Sequence, residues 1–236
     1  MPKKVNFQDL KSADYKKTWE YQEQLFDRIL EEKLAEPDSR KEKDQLAGYL
    51  LFCEHPHVYT LGKSGAENNL LIDEGFLKKI NAGYYRIDRG GDITYHGPGQ
   101  IVGYPIFNLE SFGLGIRQYI YNIEEAIILT LREFGIGSSR MDSASGVWLD
   151  TSDPVKSRKI CAIGVRASRY VTMHGFAFNV NTDLKYFSYI NPCGFSDKGV
   201  TSMEKELGGR QDINKIGEIL KTNLSSVFQM ELVNSI

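Results

Sequence analysis

KICAIGVRASRYVTMHGFAFNVN, Lys159–Asn181, is the stretch on which the fold turns. Two runs dense in β-branched and aromatic residues flank the polar step Ser168–Tyr170, the pattern of two antiparallel strands closed by a tight turn. Just upstream, GVWLD (Gly146–Asp150) has the same character. Strands that come as neighbours, with helices before, between and after them, predict an α+β sheet and not βαβ alternation.

Farther upstream, IRQYIYNIEEAIILTLREFG (Ile116–Gly135) puts Ile116, Tyr119, Ile120, Ile123, Ile127, Leu131 and Phe134 on one helical stripe, with Gly135 as the stop. From Tyr84 to Leu109 the chain reads as strand, glycine-rich loop and strand, and Asp73–Ala82 as a short helix. GYLLFCEHPHVYTLG (Gly48–Gly62) is two short strands, or one broken at its proline. Ser12 is a candidate N-cap for a helix carrying Tyr15, Trp19, Phe26, Ile29, Leu30 and Leu34, with a polar gap at Gln22 and an end at Pro37. EPDSRKEKDQ after it reads as a solvated loop. Downstream, INPCGFSDKGVTS (Ile190–Ser202) is loop and Asp212–Phe228 a final amphipathic helix. The whole chain, 1–236, reads as one domain.

Composition sets outer bounds. The 29 Lys+Arg and 31 Asp+Glu among 236 residues leave a net charge of −2, which argues against a dedicated nucleic-acid binder. With 41% hydrophobic and 25% charged residues the usage is that of a globular chain. Three cysteines do not make a disulfide framework, so a reducing compartment is expected. The N-terminal lysines precede no apolar run, Asp9 and Asp14 follow, and no stretch approaches the roughly 18 apolar residues of a membrane span. The reading is cytoplasmic, without a membrane partner.

Several motifs fail. A phosphate-binding loop ending at Lys63-Ser64 would need glycine where His57 stands, and Gly97, Gly99 and Gly103 have the wrong spacing for a dinucleotide fingerprint. No G-x-S-x-G elbow is present. His55 and His57 lack a metal partner at a recognisable spacing and read as structural or substrate-contacting. RGGDITYHGPGQ (Arg89–Gln100), with four glycines, is either a tight hairpin connection or a pocket wall with Arg89 or His96 directed at a ligand. Cys53 and Cys161 sit in apolar strands and read as core. Cys193, in Asn-Pro-Cys-Gly, is either an incidental loop thiol or a nucleophile. Lys159 is a solvated edge lysine or a desolvated general base. His174 is a satisfied core histidine or a pocket residue.

Taken in order, R-G-G-x-x-T-Y-H-G-P-G-Q (Arg89–Gln100), G-V-W (Gly146–Trp148), K-I-C-A-I-G-V-R (Lys159–Arg166), H-G-F-A-F-N-V (His174–Val180), I-N-P-C-G (Ile190–Gly194) and T-S (Thr201, Ser202) resemble the lipoyl(octanoyl) transferase family. Y-x-x-x-W-x-x-Q at Tyr15, Trp19 and Gln22 adds to it. The resemblance implies the fold of biotin and lipoate protein ligase catalytic domains, a mixed, largely antiparallel sheet flanked by helices. It implies transfer of an octanoyl group from octanoyl-acyl carrier protein to a lysine of a lipoyl domain, in 2-oxoacid dehydrogenases or the glycine cleavage H protein, as an early step of protein lipoylation. Neither metal nor cofactor, ATP included, is implied. Cys193 becomes the acyl-accepting nucleophile and Lys159 its acid/base partner. Substrate contacts fall on Arg89, Gly90, Gly91, Tyr95, His96, Gly97, Ala162, Ile163, Gly164, His174, Gly175, Phe176 and Ala177. The stretch Asp150–Arg158 looks longer than the family's.

The chemistry is consistent. A thioester donor is already activated, a cysteine can take the acyl group, and an amine can then receive it. Glycine-lined N–H groups would hold the oxyanion, and Phe176 or Phe178 would supply an apolar slot. Strand periodicity makes Cys161 a competitor for Cys193, since it stands two residues from Lys159 and would share its face, about 6.6 Å away. A strand thiol is held in packed surroundings, whereas a loop thiol is accessible. Acidic carrier partners predict a basic rim, with Lys63, Arg140, Lys156 and Arg158 as candidates. The rival readings are an ATP-dependent lipoate or biotin ligase and a noncatalytic carrier-protein binding module.

Overall fold

The computed structural model of the chain describes residues 2–34, 46–142, 144–191 and 199–234. Cys193, Pro37 and the polar stretch Glu36–Gln45 lie outside the described residues.

In chain order, β1 (Lys3–Ser12) leads into α1 (Tyr15–Leu34), and β2 (Gly48–Glu54) and β3 (Val58–Leu61) follow. Then come α2 (Glu74–Lys79), β4 (Gly83–Arg86), β5 (Ile93–His96) and β6 (Gln100–Phe107). A short α3 (Leu109–Phe112) precedes α4 (Ile116–Glu133), β7 (Ser139–Met141), β8 (Ala144–Leu149), β9 (Arg158–Ser168) and β10 (Val171–Asn179). The chain closes with β11 (Gly199–Val200), α5 (Met203–Leu207), α6 (Ile213–Phe228) and β12 (Met230–Asn234).

Among the described residues the main sheet runs β12-β1-β2-β6-β10-β9-β8-β7, with β11 beside β9. From β2 to β7 the pairing is antiparallel, while β12-β1-β2 and β11-β9 are parallel. The hairpin expected at Lys159–Asn181 is its centre. Arg169 and Tyr170 close it with φ of 49° and 63°, the left-handed pair a two-residue hairpin turn needs, here without glycine. The strands β6 and β10 are buried along their whole length because both faces are covered, which is why they read as nearly unbroken apolar runs.

α4 and α6 cover one face, where Tyr119, Ile123, Ile127, Leu220, Leu224 and Phe228 pack on Leu50, Ile101, Phe107, Phe178 and Cys161. α1 covers the other, with Leu25, Phe26 and Ile29 on Leu51, Val102, Ile106 and Met173. Each such apolar side chain is worth about 1.5–3 kcal/mol when fully buried. A second sheet, β4-β3-β5, packs Tyr59, Leu61, Ile93 and Tyr95 against Leu77 of α2 and Ile190. No helix among the described residues is long and apolar enough to cross a membrane.

The structure corrects the sequence reading at three places. Ser12 is the last residue of β1, paired with Glu54, and the helix is capped instead by Asp14, whose carboxylate accepts the Lys17 N–H at 3.0 Å. Arg89–Gln100 is not one loop, since Ile93–His96 forms β5 against β3. The strands β1, β7, β11 and β12 are additional to those read from sequence, β11 lying inside the stretch Ile190–Ser202 that reads as loop.

Candidate functional site

A cavity of about 130 Å³ opens between the two sheets. Its floor follows from small residues at facing positions of the central hairpin, where Gly164 pairs with Gly175 and Ala162 with Ala177. Small residues facing each other on two adjacent strands leave a trough. Gly175 is obligatory for close packing, because a Cβ there would stand 2.1 Å from the Gly103 carbonyl oxygen and 2.6 Å from Pro105 Cδ. Apolar walls come from Ile93, Val102, Ile163, Phe176, Phe187, Ile190 and Val200. Such a trough fits a hydrocarbon chain, for which burial is favourable and no polar partner is required.

Polar groups line both ends of the trough, Lys159 beside Trp148 and Val200, and Arg89 and His174 beside Gly164 and Val165. Lys159 lines the cavity with its Nζ 4.5 Å from the Trp148 ring centroid, a cation–π contact that fixes the ammonium over the indole. It reaches this face because of a β-bulge. Trp148 pairs with Lys159 and Val147 with Cys161, so Ile160 is the extra residue and both Ile160 and Cys161 turn into the helix-covered core. Gly146 makes room for the bulge at φ 119°, where a Cβ would stand 2.4 Å from the Cys161 carbonyl oxygen, and its N–H donates to Glu124 Oε1 at 2.9 Å. The expected shared face of Lys159 and Cys161 is therefore absent. Cys161 is fully buried, and burial raises its thiol pKa, which opposes thiolate formation.

Arg89 is held by Thr60, its Nη2 donating to the carbonyl at 2.8 Å and to Oγ1 at 3.1 Å, and it lines the cavity beside Gly91 and Asp92. His96 meets Gln100 Oε1 through Nδ1 at 3.0 Å, and burial lowers its pKa to about 3, so it is neutral at neutral pH. Gln100 Nε2 donates to Asn179 Oδ1 at 2.8 Å, and Asn179 Nδ2 to the Thr201 carbonyl at 3.0 Å. His174 is buried in the wall with Nε2 2.9 Å from Asp88 Oδ1, and Asp88 is bound on its other oxygen by Arg166 at 2.5 Å. The His174 hydrogen bond holds the Asp88 carboxyl below its ordinary range, while burial lowers the His174 pKa. Tyr15 and Tyr104 also reach the cavity.

Of the residues singled out in the sequence, Arg89, Gly91, His96, Lys159, Ala162, Ile163, Gly164, His174, Gly175, Phe176 and Ala177 line this one cavity. Tyr95 does not line it. It is fully buried in the aromatic cluster of the small sheet, where its hydroxyl meets His57 Nδ1 at 2.7 Å. Gly97 lies behind the wall, in a space where a Cβ would strike the Tyr95 hydroxyl at 1.8 Å. The Gly90 N–H is committed to the Val165 carbonyl at 2.9 Å and that of Gly99 to Glu54 at 2.6 Å, so neither serves as the expected oxyanion donor. Phe178 faces the helix-covered core and not the slot. Cys193 lies outside the described residues. His55 is a core histidine, bonded to the Ala13 carbonyl and Tyr104 hydroxyl at 2.7 Å each. No group of metal-ligating side chains occurs among the described residues.

Two of the expected rim cations are neutralised. Arg140 is ion-paired with Glu124 and Glu125, and Arg158 with Asp150 and Glu206. Lys156 is exposed beside Asp153 in the Asp150–Arg158 turn, and Lys63 is exposed next to the Arg89 segment. Asp88 and the role of Gln22 are additional to the sequence reading, although Asp88 is adjacent to the R-G-G motif and Gln22 was the polar gap in a helical stripe.

Comparisons with known proteins add an independent line. Residues 14–225 match the family model of the lipoyl protein ligase A/B catalytic domain. An octanoyltransferase of Cytophaga hutchinsonii is 52% identical over 99% of this chain and 96% of its own length. One of Flavobacterium johnsoniae is 54% identical over 99% and 100%. The fold is similar to a bipartite lipoate protein ligase of Thermoplasma acidophilum, with TM-score 0.70 and 15% identity over 100% of this chain and 87% of that one. It is also similar to a lipoate-protein ligase A solved with ATP, with TM-score 0.66 and 16% identity over 100% and 89%.

Proposed function

Since this chain belongs to the lipoyl protein ligase A/B catalytic-domain family, we propose that it is an octanoyltransferase, moving an octanoyl group from octanoyl-acyl carrier protein to the lysine amine of a lipoyl domain. The observation that carries the reading is the apolar trough with a lysine head group at its edge. The trough takes the acyl chain and Lys159 works at the thioester.

Cys193 is the acyl acceptor in this proposal. Covalent connectivity supports it: the chain leaves the cavity wall at Ile190 and returns to it at Gly199 and Val200, and β11 lies against Arg158 and Lys159. Three peptide units separate Cys193 from Ile190, which bounds their Cα separation at about 11 Å. The Cys193 thiol gives its proton to Lys159, and the resulting thiolate, beside the ammonium, attacks the thioester carbonyl carbon. The tetrahedral intermediate collapses by breaking the bond to the carrier's sulfur, which leaves as a thiol with the proton from Lys159. The acceptor amine then attacks the Cys193 thioester, loses a proton to Lys159, and forms the amide as the Cys193 thiol is regenerated. Lipoyl domains of 2-oxoacid dehydrogenases and the glycine cleavage H protein are the proposed acceptors, in the cytoplasm.

The test is incubation of the full chain with octanoyl-acyl carrier protein, followed by intact-protein mass spectrometry. An octanoyl adduct that is discharged by added lipoyl domain without ATP is the expected result. Transfer that occurs only with ATP consumption would make the chain a ligase instead, and stoichiometric binding with no adduct and no transfer would make it a carrier-binding module.

A further inference from the structure

His174 has an unusual setting. It lies inside β10 yet has φ 60°, a left-handed conformation that a non-glycine residue adopts only when its surroundings hold it there. Two partners from distant parts of the chain do so. The His174 backbone N–H donates to Gln22 Oε1 of α1 at 3.1 Å, and Gln22 is itself fully buried. The ring is held through Nε2 by Asp88, and Asp88 is anchored by Arg166 of β9 at 2.5 Å. The β6 register against β10 runs only as far as Phe176–Gly103, and Pro105, which carries no N–H, lies beyond it.

Proton accounting fixes the ring. An ionised carboxylate bound to a guanidinium only accepts hydrogen bonds, so Nε2 carries the hydrogen. Burial keeps the ring neutral despite Asp88. Nδ1 is then a lone-pair acceptor on a side chain that lines the acyl cavity. No hydrogen bond joins it to another of the described residues. It is not among the fully buried polar atoms left without a partner, so a donor that enters the cavity can reach it.

We propose that Gln22 and Asp88 are positioning residues that clamp His174 at backbone and ring, so that its Nδ1 accepts a hydrogen bond from a substrate N–H in the cavity. The inference rests on the octanoyltransferase reading. That reading supplies two N–H sources, an amide of the carrier's pantetheine arm and the incoming lysine amine, and they act in different half reactions. Arg166 belongs to the clamp through Asp88.

The experiment has a spectroscopic and a kinetic arm on the full chain. Long-range ¹H–¹⁵N correlation of the four histidines, with His174 assigned by His174→Asn, reports the tautomer. The expected spectrum shows His174 protonated at Nε2 with an unprotonated Nδ1, and Asp88→Asn shifts that balance. In parallel, acylation by octanoyl-acyl carrier protein and discharge by a lipoyl domain are timed separately. Asp88→Asn and Gln22→Met are each expected to slow one and the same half reaction by roughly 10–100-fold, the worth of one hydrogen bond to a charged or reacting group. Slowed acylation identifies the pantetheine amide as donor, and slowed discharge the amine. A wild-type His174 protonated at Nδ1, or a shifted tautomer with both half reactions at wild-type rate, overturns the proposal. So does a loss of stability in both variants with the tautomer unchanged, which would make the cluster a packing staple. If the wild type forms no adduct at all, the octanoyltransferase reading fails, and the tautomer of wild type and Asp88→Asn decides the clamp alone.

Discussion

Lys159 and Cys161 stand two residues apart in one strand and face opposite sides of it. The lysine looks into the cavity beside Trp148, while the cysteine is buried with Val147 and Ile160 under α4 and α6. One extra residue in the bulge reverses the alternation of a regular strand.

That geometry separates the two candidate thiols. Cys193→Ser is expected to abolish the octanoyl adduct and Cys161→Ser to preserve it, with Lys159→Ala reducing turnover at least 100-fold, the scale of a lost acid/base group. Peptide mapping of the adduct checks the assignment. An acyl group on Cys161 would refute it.

Gly175→Ala tests the floor of the trough. Its Cβ would stand 2.1 Å from the Gly103 carbonyl oxygen, so β6 and β10 must separate. Overpacking of this kind costs about 1–3 kcal/mol. A reduced urea midpoint together with slower acylation is expected, and an unchanged midpoint would show that the two strands are more compliant than their packing implies.

Buried histidines set the pH response of stability. Burial lowers the pKa of His55 to about 4 and that of His96 to about 3, from an ordinary value of 6.5. Between 6.5 and those values the unfolded chain binds more protons than the folded one. Their contribution is therefore fully present above pH 6.5 and is lost as the pH falls, at up to about 1.4 kcal/mol per pH unit for each ring. Denaturation at pH 7 and pH 5 should show the loss, and His96→Gln should flatten it. Equal stability at both pH values would contradict neutral burial of these rings.

Surface charge divides into two kinds. Lys63 is exposed beside the Arg89 segment, whereas Arg158 is ion-paired with Asp150 and Glu206. Lys63→Glu is expected to raise the KM for the carrier-bound substrate several-fold at low salt, leaving kcat in place. Arg158→Glu should instead lower stability by about 1–3 kcal/mol, because Asp150 and Glu206 lose their partner and face a like charge. Steady-state kinetics at two ionic strengths, alongside thermal melts, distinguish them.

The parts of the fold legible in sequence are those with partners near in the chain or with dense, periodic apolar residues. The β9–β10 hairpin and α4 carry dense, periodic apolar residues. β1 has only Val5, Phe7 and Leu10 as apolar residues, and its partner β12 comes from the other end of the chain, so nothing local marked it as a strand. β5 was hidden by the glycines around it. Tyr95 and His96 are neighbours in that strand, and alternation sends His96 to the cavity and Tyr95 to the aromatic cluster behind it, a division that the motif alone does not reveal. Gln22 broke a helical stripe because its side chain answers to a backbone N–H on β10 and not to the core.

The pairing of Lys3 with Met230 bears on how the molecule assembles. The entropy of closing a loop grows with the logarithm of its length, each doubling costing about 0.6 kcal/mol more. The β1–β12 contact therefore forms after the local hairpins, when the central sheet already exists as a template. Until β12 docks, one side of β1 presents unpaired N–H and C=O groups, and such an edge invites pairing with a second molecule. β12 is in this sense a seal on the sheet, far from the cavity, and weakening it would first be felt as self-association during folding and not as lost chemistry.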